Sequence, residues 1–258
     1  MINRTFPLPS RSAAYGVPAV AMAASLLLTG CAGDAPAALD GGTRPAATER
    51  GGSPVARASL EVAPRQLPGL GPTTLGKIPA ETRQAVVVTG HAKDSPLSTV
   101  VLYERTEAGW QAVASWPADN GLKGWSDHHK AGDLRSPIGV YSLTDAGGRL
   151  ANPGTRLSYD RSTSFTAVGT GFQGESLAGS FDYVIAIDYN RKRGSTPLDW
   201  TRPLGEDLGG GIWLHVDHGG PTHGCVSLHR NAMKSLLRTL DPGRHPMVVM
   251  GDAASLKR

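Results

Sequence analysis

The stretch Ile212-Trp213-Leu214-His215-Val216-Asp217-His218-Gly219-Gly220-Pro221-Thr222-His223-Gly224-Cys225-Val226-Ser227-Leu228 decides how the rest of the chain is read. An apolar run ending in histidine, followed by Gly219-Gly220-Pro221, reads as a strand entering a tight loop. Cysteine reacts as its thiolate, and a neighbouring imidazole can take the thiol proton. Cys225 is therefore a candidate nucleophile. His215, at the end of the strand, is its candidate base, with His218 as an alternative. The amides of His223, Gly224 and Cys225 are candidates for holding a developing oxyanion.

The other end of the chain bears on this reading. Only two cysteines, Cys31 and Cys225, occur in 258 residues. Arg4 and Arg11 precede a small and apolar run from Ala13 to Leu28, the layout of a secretory signal peptide. The run is short for a membrane span and is broken by Gly16 and Pro18. It ends in Leu28-Thr29-Gly30-Cys31, which resembles the lipobox of bacterial lipoproteins. That resemblance implies a signal peptide over residues 1–30, a lipid on Cys31, and an extracytoplasmic protein anchored in the membrane and facing the cell wall. Cys225 then has no partner in the chain, and an unpaired thiol in an oxidising compartment is a hazard unless it is used.

Residues 31–65 are Ala, Gly, Pro, Thr and Arg with few large apolar side chains, and they read as a disordered tether. Residues 66–258 are enough for one domain, and nothing in their pattern suggests a second core. The formal net charge of +4 suits work beside an anionic wall or membrane surface. No basic run is interleaved with aromatics, so nucleic acid is not an expected partner.

Within the domain, Gln84–Gly90, Thr99–Arg105, Trp110–Trp116, Phe181–Tyr189, Gly211–Val216 and Pro246–Gly251 read as strands, the second and third forming a hairpin. Trp110, Ala112 or Val113, and Trp116 alternate only loosely, which leaves the faces of that strand open. His128 and His129 fall in a polar loop and read as solvated. Leu228, Ala232, Leu236 and Leu240 recur every four residues with Met233 and Leu237 alongside, which predicts one amphipathic helix ended by Asp241-Pro242-Gly243. Its start just beyond Cys225 would let the helix dipole favour a thiolate. The sum is a mostly β domain with one main helix after the cysteine.

Thr222-His223-Gly224-Cys225 resembles the Ser/Thr-His-Gly-Cys loop of the YkuD-type L,D-transpeptidases. Ser136-Pro137-Ile138-Gly139-Val140-Tyr141 is similar to that family's upstream Thr-Pro-x-Gly-x-Phe element. Two departures stand out. Ten positions separate His215 from Cys225, where many members have a longer loop, and Ser227 stands where the family often has arginine. The resemblance implies a twisted β-sandwich with the cysteine loop facing a cleft. It also implies peptidoglycan stem peptides as substrate, joined by 3-3 cross-links through a thioacyl intermediate on Cys225, or cut by water in a carboxypeptidase reaction. No cofactor or metal is implied. Thr222, Tyr189 and Asn190 become candidate substrate contacts.

Two rival readings use the same residues. His215, His218, His223 and Asp217, completed by Cys225, are numerous enough for a zinc peptidase, although their spacing is unlike the helical His-x-x-x-His arrangement. A binding lipoprotein that holds stems without turning them over would need neither nucleophile nor base.

Overall fold

The computed structural model describes residues 63–258. The expected signal peptide, Cys31 and most of the expected tether lie outside the described residues. The elements are α1 (Pro72–Leu75), β1 (Gln84–Gly90), β2 (Leu97–Thr106), β3 (Gly109–Asp119), β4 (Trp125–Ser126), β5 (Ser136–Pro137), β6 (Gly139–Ser142), β7 (Asp145–Gly148), β8 (Ser158–Arg161), β9 (Val184–Ala186), β10 (Trp213–Val216), β11 (Val226–Leu228), α2 (Arg230–Thr239), β12 (Met247–Asp252) and α3 (Ala253–Leu256). Ten strands form one mixed sheet in the order β6-β12-β1-β2-β3-β11-β10-β9-β7-β8, and β4 and β5 pair separately. The fold is mostly β, a large curled sheet folded into a sandwich.

Curling follows from which residues share a core. Val86, Val88, Val248 and Met250 from one half of the sheet pack with Ile185, Leu214, Val226 and Leu228 from the other. Helix α2 supplies Ala232, Met233, Leu236 and Leu237 to the same core, as its four-residue repeat predicts. On the opposite face of β1 and β12, Ala85, Val87 and Val249 pack under Leu67, Trp110 and Leu256. Both faces of β1 are covered, so it reads as an unbroken valine run rather than an alternation. The two ends of the described chain close this second core together: Gly71 N donates to Leu256 O and Thr73 N to Arg258 O.

The uncertain face of β3 has a physical cause. Leu102 pairs with Ala114 but Tyr103 pairs with Ala112, leaving Val113 as the extra residue of a bulge. The bulge shifts the alternation by one, so Trp110 joins the second core while Trp116 and Ala118 pack on the first.

Three expectations need correction. Helix α2 does not begin just beyond Cys225: Val226–Leu228 forms a strand first, and His229 caps the helix by accepting from Asn231 N. Cys225 therefore lies outside the first turn, where a helix dipole acts. The expected strand Phe181–Tyr189 is paired only over Val184–Ala186. His129 is not solvated; it is 6% exposed, with Nδ1 2.9 Å from Asp133 Oδ1 and its ring edge-on to Tyr189.

Candidate active site

Strands β10 and β11 run parallel, with Leu214 opposite Val226 and His215 opposite Ser227. Leu214, Val216, Val226 and Leu228 point into the main core. Side chains alternate along a strand, so Trp213, His215, Cys225 and Ser227 share the other face. The segment 217–225 must return from the end of β10 to the start of β11 without a helical crossover, which brings Cys225 back beside Trp213 and diagonal to His215.

Hydrogen bonds fix that return. Thr222 Oγ1 donates to Cys225 O at 2.6 Å and accepts from Gly224 N at 3.1 Å. Thr222 N donates to Asn120 O, and Leu122 N to Thr222 O. Ser136 Oγ accepts from Gly121 N at 2.9 Å and donates to Cys225 O at 3.4 Å. The two separated sequence elements, one opening at Ser136 and the other closing at Cys225, thus meet at the cysteine's carbonyl. Glycine is favoured at 224 because φ there is +156°, and a Cβ would in addition stand 3.0 Å from Arg135 O and 3.3 Å from Ile212 Cδ1.

The Cys225 residue is half-buried, and its Sγ lies 3.5 Å from Gly211 O as a donor. Burial pushes the thiol up to about 11, with the Trp213 amide opposing as a donor to sulfur. His215 is 3% exposed. Its Nδ1 lies 2.9 Å from Val216 O, and since a carbonyl only accepts, Nδ1 carries the proton and Nε2 the lone pair. Burial pulls this histidine down to about 4; the bond to Val216 O and the Asp217 charge oppose that, while the neighbouring His218 adds to it. At neutral pH the site holds an uncharged imidazole and an un-ionised thiol.

His218 stacks on His215, ring centroids 5.8 Å apart and planes 13° from parallel, with Nδ1 3.2 Å from Glu175 Oε1. His223 is exposed and lies against Phe172 at 4.6 Å. Among the described residues no three His, Cys, Asp or Glu side chains stand at metal-holding geometry.

Cys225 faces two cavities. A small one of about 130 Å³ is walled by His215, His218, His223 and Thr222 with Leu177 and Phe181. A larger one of about 490 Å³ is walled by Phe181, Leu198, Trp200 and Trp213 beside Gly210 and Gly211. The structure brings Cys225, His215, His218, His223, Gly224 and Thr222 together.

Tyr189 and Asn190 are not brought to the same place. Tyr189 Oη donates to Leu208 O at 2.8 Å, and Asn190 Nδ2 donates to Gly205 O and Gly209 O while its Oδ1 accepts from Leu204 N. Neither lines the two cavities; they hold the segment that leads into Gly210 and Gly211. Arg191, next along, is buried between Asp145 and Asp188.

Sequence reasoning missed Glu175, Phe172, Phe181 and Trp200. The first two lie in Gly171-Phe172-Gln173-Gly174-Glu175, a turn-rich run with no periodicity to mark it. Trp200 is 73% exposed, a large aromatic in a polar loop, and that composition was the available signal.

The sequence model of the L,D-transpeptidase catalytic domain, YkuD, matches residues 94–249. No curated protein matches the chain. Among solved structures, Bd1075 of Bdellovibrio bacteriovorus aligns at 17% identity with a TM-score of 0.38, over 66% of this chain and 48% of that one. The chain therefore spans about half the length of that protein. The match to the catalytic-domain model covers well over half of the sequence and includes both Ser136 and Cys225, and the protein belongs to the YkuD family of L,D-transpeptidases.

Proposed function

We propose that the protein is a peptidoglycan L,D-transpeptidase that makes 3-3 cross-links through a thioacyl intermediate on Cys225, with hydrolysis of that intermediate as a carboxypeptidase branch. The observation that carries this reading is the shared sheet face, on which Cys225 and a neutral His215 border one cavity and Nδ1 of His215 is committed to Val216 O.

His215 Nε2 takes the thiol proton as sulfur bonds to the carbonyl carbon of the third, diamino-acid residue of a tetrapeptide stem, and the C=O pair moves onto oxygen. The C=O re-forms, the bond to terminal D-alanine breaks, and its amine leaves with the proton from Nε2. The side-chain amine of a second stem then gives a proton to Nε2 as it attacks the thioester carbon, and sulfur departs and regains a proton. Water in place of the amine gives a tripeptide. The amides of His223 and Cys225 are the proposed oxyanion donors, each worth roughly 3 kcal/mol in better-known acyl transferases. The Gly224 amide is committed to Thr222 Oγ1, so it serves the turn instead. Thr222 shapes the loop, and Tyr189 and Asn190 support the far wall of the cleft.

Residues 1–30 as signal peptide, lipid on Cys31, and residues 31–65 as tether complete the proposal. They would set the domain at the membrane's outer face with reach into the wall. Radiolabelled palmitate incorporated by the wild type and not by Cys31→Ala would support the anchor, and equal labelling would refute it.

The central test is intact mass after incubation with a disaccharide tetrapeptide or a carbapenem, beside Cys225→Ala. An adduct on the wild type alone is expected. A folded, reduced wild type that forms none with either compound would overturn the reading.

A further inference from the structure

The two cavities beside Cys225 differ in chemistry, and proton traffic distributes the substrate between them. The departing amine and the attacking amine must both exchange a proton with His215 Nε2, so both belong on the histidine side. The acyl residue, bonded to sulfur, is left the larger cavity walled by Phe181, Leu198, Trp200 and Trp213.

Trp200 lines that cavity, and the Arg202 guanidinium sits behind the lining, on the indole and against Gly210. Trp200 is 73% exposed, and Arg202 Cζ lies 5.0 Å from its ring centroid. Arg202 Nη1 donates to Asp199 O at 3.2 Å and Thr201 O at 3.1 Å, which fixes the guanidinium. Its Nε packs so closely on Gly210 that a Cβ there would collide with it, and Nη2 is 3.7 Å from where a Cβ of Gly211 would stand. Gly211 is also the residue whose carbonyl faces the Cys225 thiol. Thiol and guanidinium therefore flank the same glycine. Among the described residues Arg202 has no carboxylate partner, and its Nε and Nη2 donate to none of them.

We propose that Trp200 and Arg202 read the side chain of the acyl residue: the aromatic cavity takes an aliphatic chain and the guanidinium takes a carboxylate at its end. This rests on the transpeptidase reading above and adds a specificity to it. A third residue such as diaminopimelate satisfies both parts. Its carboxamide keeps the chain and loses the charge, and lysine lacks the carboxylate altogether. A planar fork of donors suits a carboxylate, and hydrogen bonds to a charged group are worth about tenfold or more in affinity.

The test uses the full-length protein and tetrapeptide stems that differ only at the third residue: diaminopimelate, its side-chain carboxamide, and lysine. The readout is kcat/KM for release of terminal D-alanine. Wild type should favour the carboxylate stem about tenfold or more. Arg202→Gln should bring that ratio close to one by raising KM for the carboxylate stem alone, and Arg202→Lys should keep part of it. Trp200→Ala should lower all three rates. Turnover of all three stems by wild type without preference would overturn this inference and leave the transpeptidase reading standing, and so would an equal loss on all three in Arg202→Gln. No turnover and no thioacyl adduct on any stem would overturn both.

Discussion

Alkylation of Cys225 should be slow at neutral pH and keep accelerating far into the alkaline range. Burial moves the thiol from 9.0 up to about 11. Two units reduce the thiolate fraction at pH 7 from about one in a hundred to about one in ten thousand, so the rate with iodoacetamide should be about 100-fold below that of an unshifted thiol. His215, pulled down to about 4, offers no imidazolium at pH 7 to hold a thiolate, so both shifts favour the uncharged pair. The assay follows intact mass in a Cys31→Ser background, where Cys225 is the sole cysteine. Limited access to a half-buried sulfur also slows alkylation, so the slope matters more than the absolute rate. The logarithm of the rate should rise with unit slope from pH 7 to about 10 and level off only near 11. A plateau below pH 8 would mean a preformed thiolate-imidazolium pair and would refute the reasoning. The neutral pair also implies that acylation persists on the acid side down to about pH 4 in a folded protein, because His215 Nε2 stays unprotonated until then.

The same burial of His215 should make the fold acid-sensitive. With its folded value lowered to about 4 against 6.5 unfolded, the unfolded chain takes up the proton first. That contribution is fully present above pH 6.5 and fades as pH falls toward 4, an order of about 3 kcal/mol. Urea midpoints at pH 7 and pH 4.5 should separate less in His215→Phe than in wild type, and equal separations would refute it. Thr222→Val keeps the shape of the side chain but removes both the bond to Cys225 O and the acceptor for Gly224 N. We expect kcat to fall ten- to a hundredfold with little change in thermal midpoint, and Thr222→Ser to recover most of it. An unchanged kcat would show that the loop holds its shape without the hydroxyl.

Fold class was legible because the strongest local signals agree with the tertiary structure. The valine run at 86–88 became part of a strand covered on both faces, and the four-residue repeat from Ala232 became α2. What failed to show were features that exist only through contacts distant in sequence. Nothing local marks Val113 as a bulge residue, since its partner is the Leu102–Tyr103 step of the neighbouring strand. Leu228 satisfies the helix repeat equally well but is claimed by a parallel ladder with β10. His129 looked like any loop histidine until Asp133 and Tyr189 closed around it.

The candidate site divides in the same way, and position 227 shows why. Cys225 and His215 carry chemistry in their side chains, so their types and spacing could be read directly. Ser227 sits where the family often has an arginine, and the structure shows what surrounds it. It is fully buried, in register with His215 on one side and Asp119 on the other, and its hydroxyl lies 3.5 Å from Asp217 Oδ1. Burial raises the Asp119 carboxyl from its usual range, the Asp217 charge adds to that, and His218 opposes it. A guanidinium at 227 would have to enter this closed slot beside the proposed base, where its charge would disfavour protonation of His215 during the reaction. A serine adds no charge to the slot. A cation that reads a substrate carboxylate must then come from outside β11, and the segment after β9 carries the proposed Arg202 beside Gly210 and Gly211, the second of which accepts from the thiol. On this argument the serine and the proposed arginine are two halves of one arrangement. Placing the cation on the acyl side leaves the histidine side free for proton transfer.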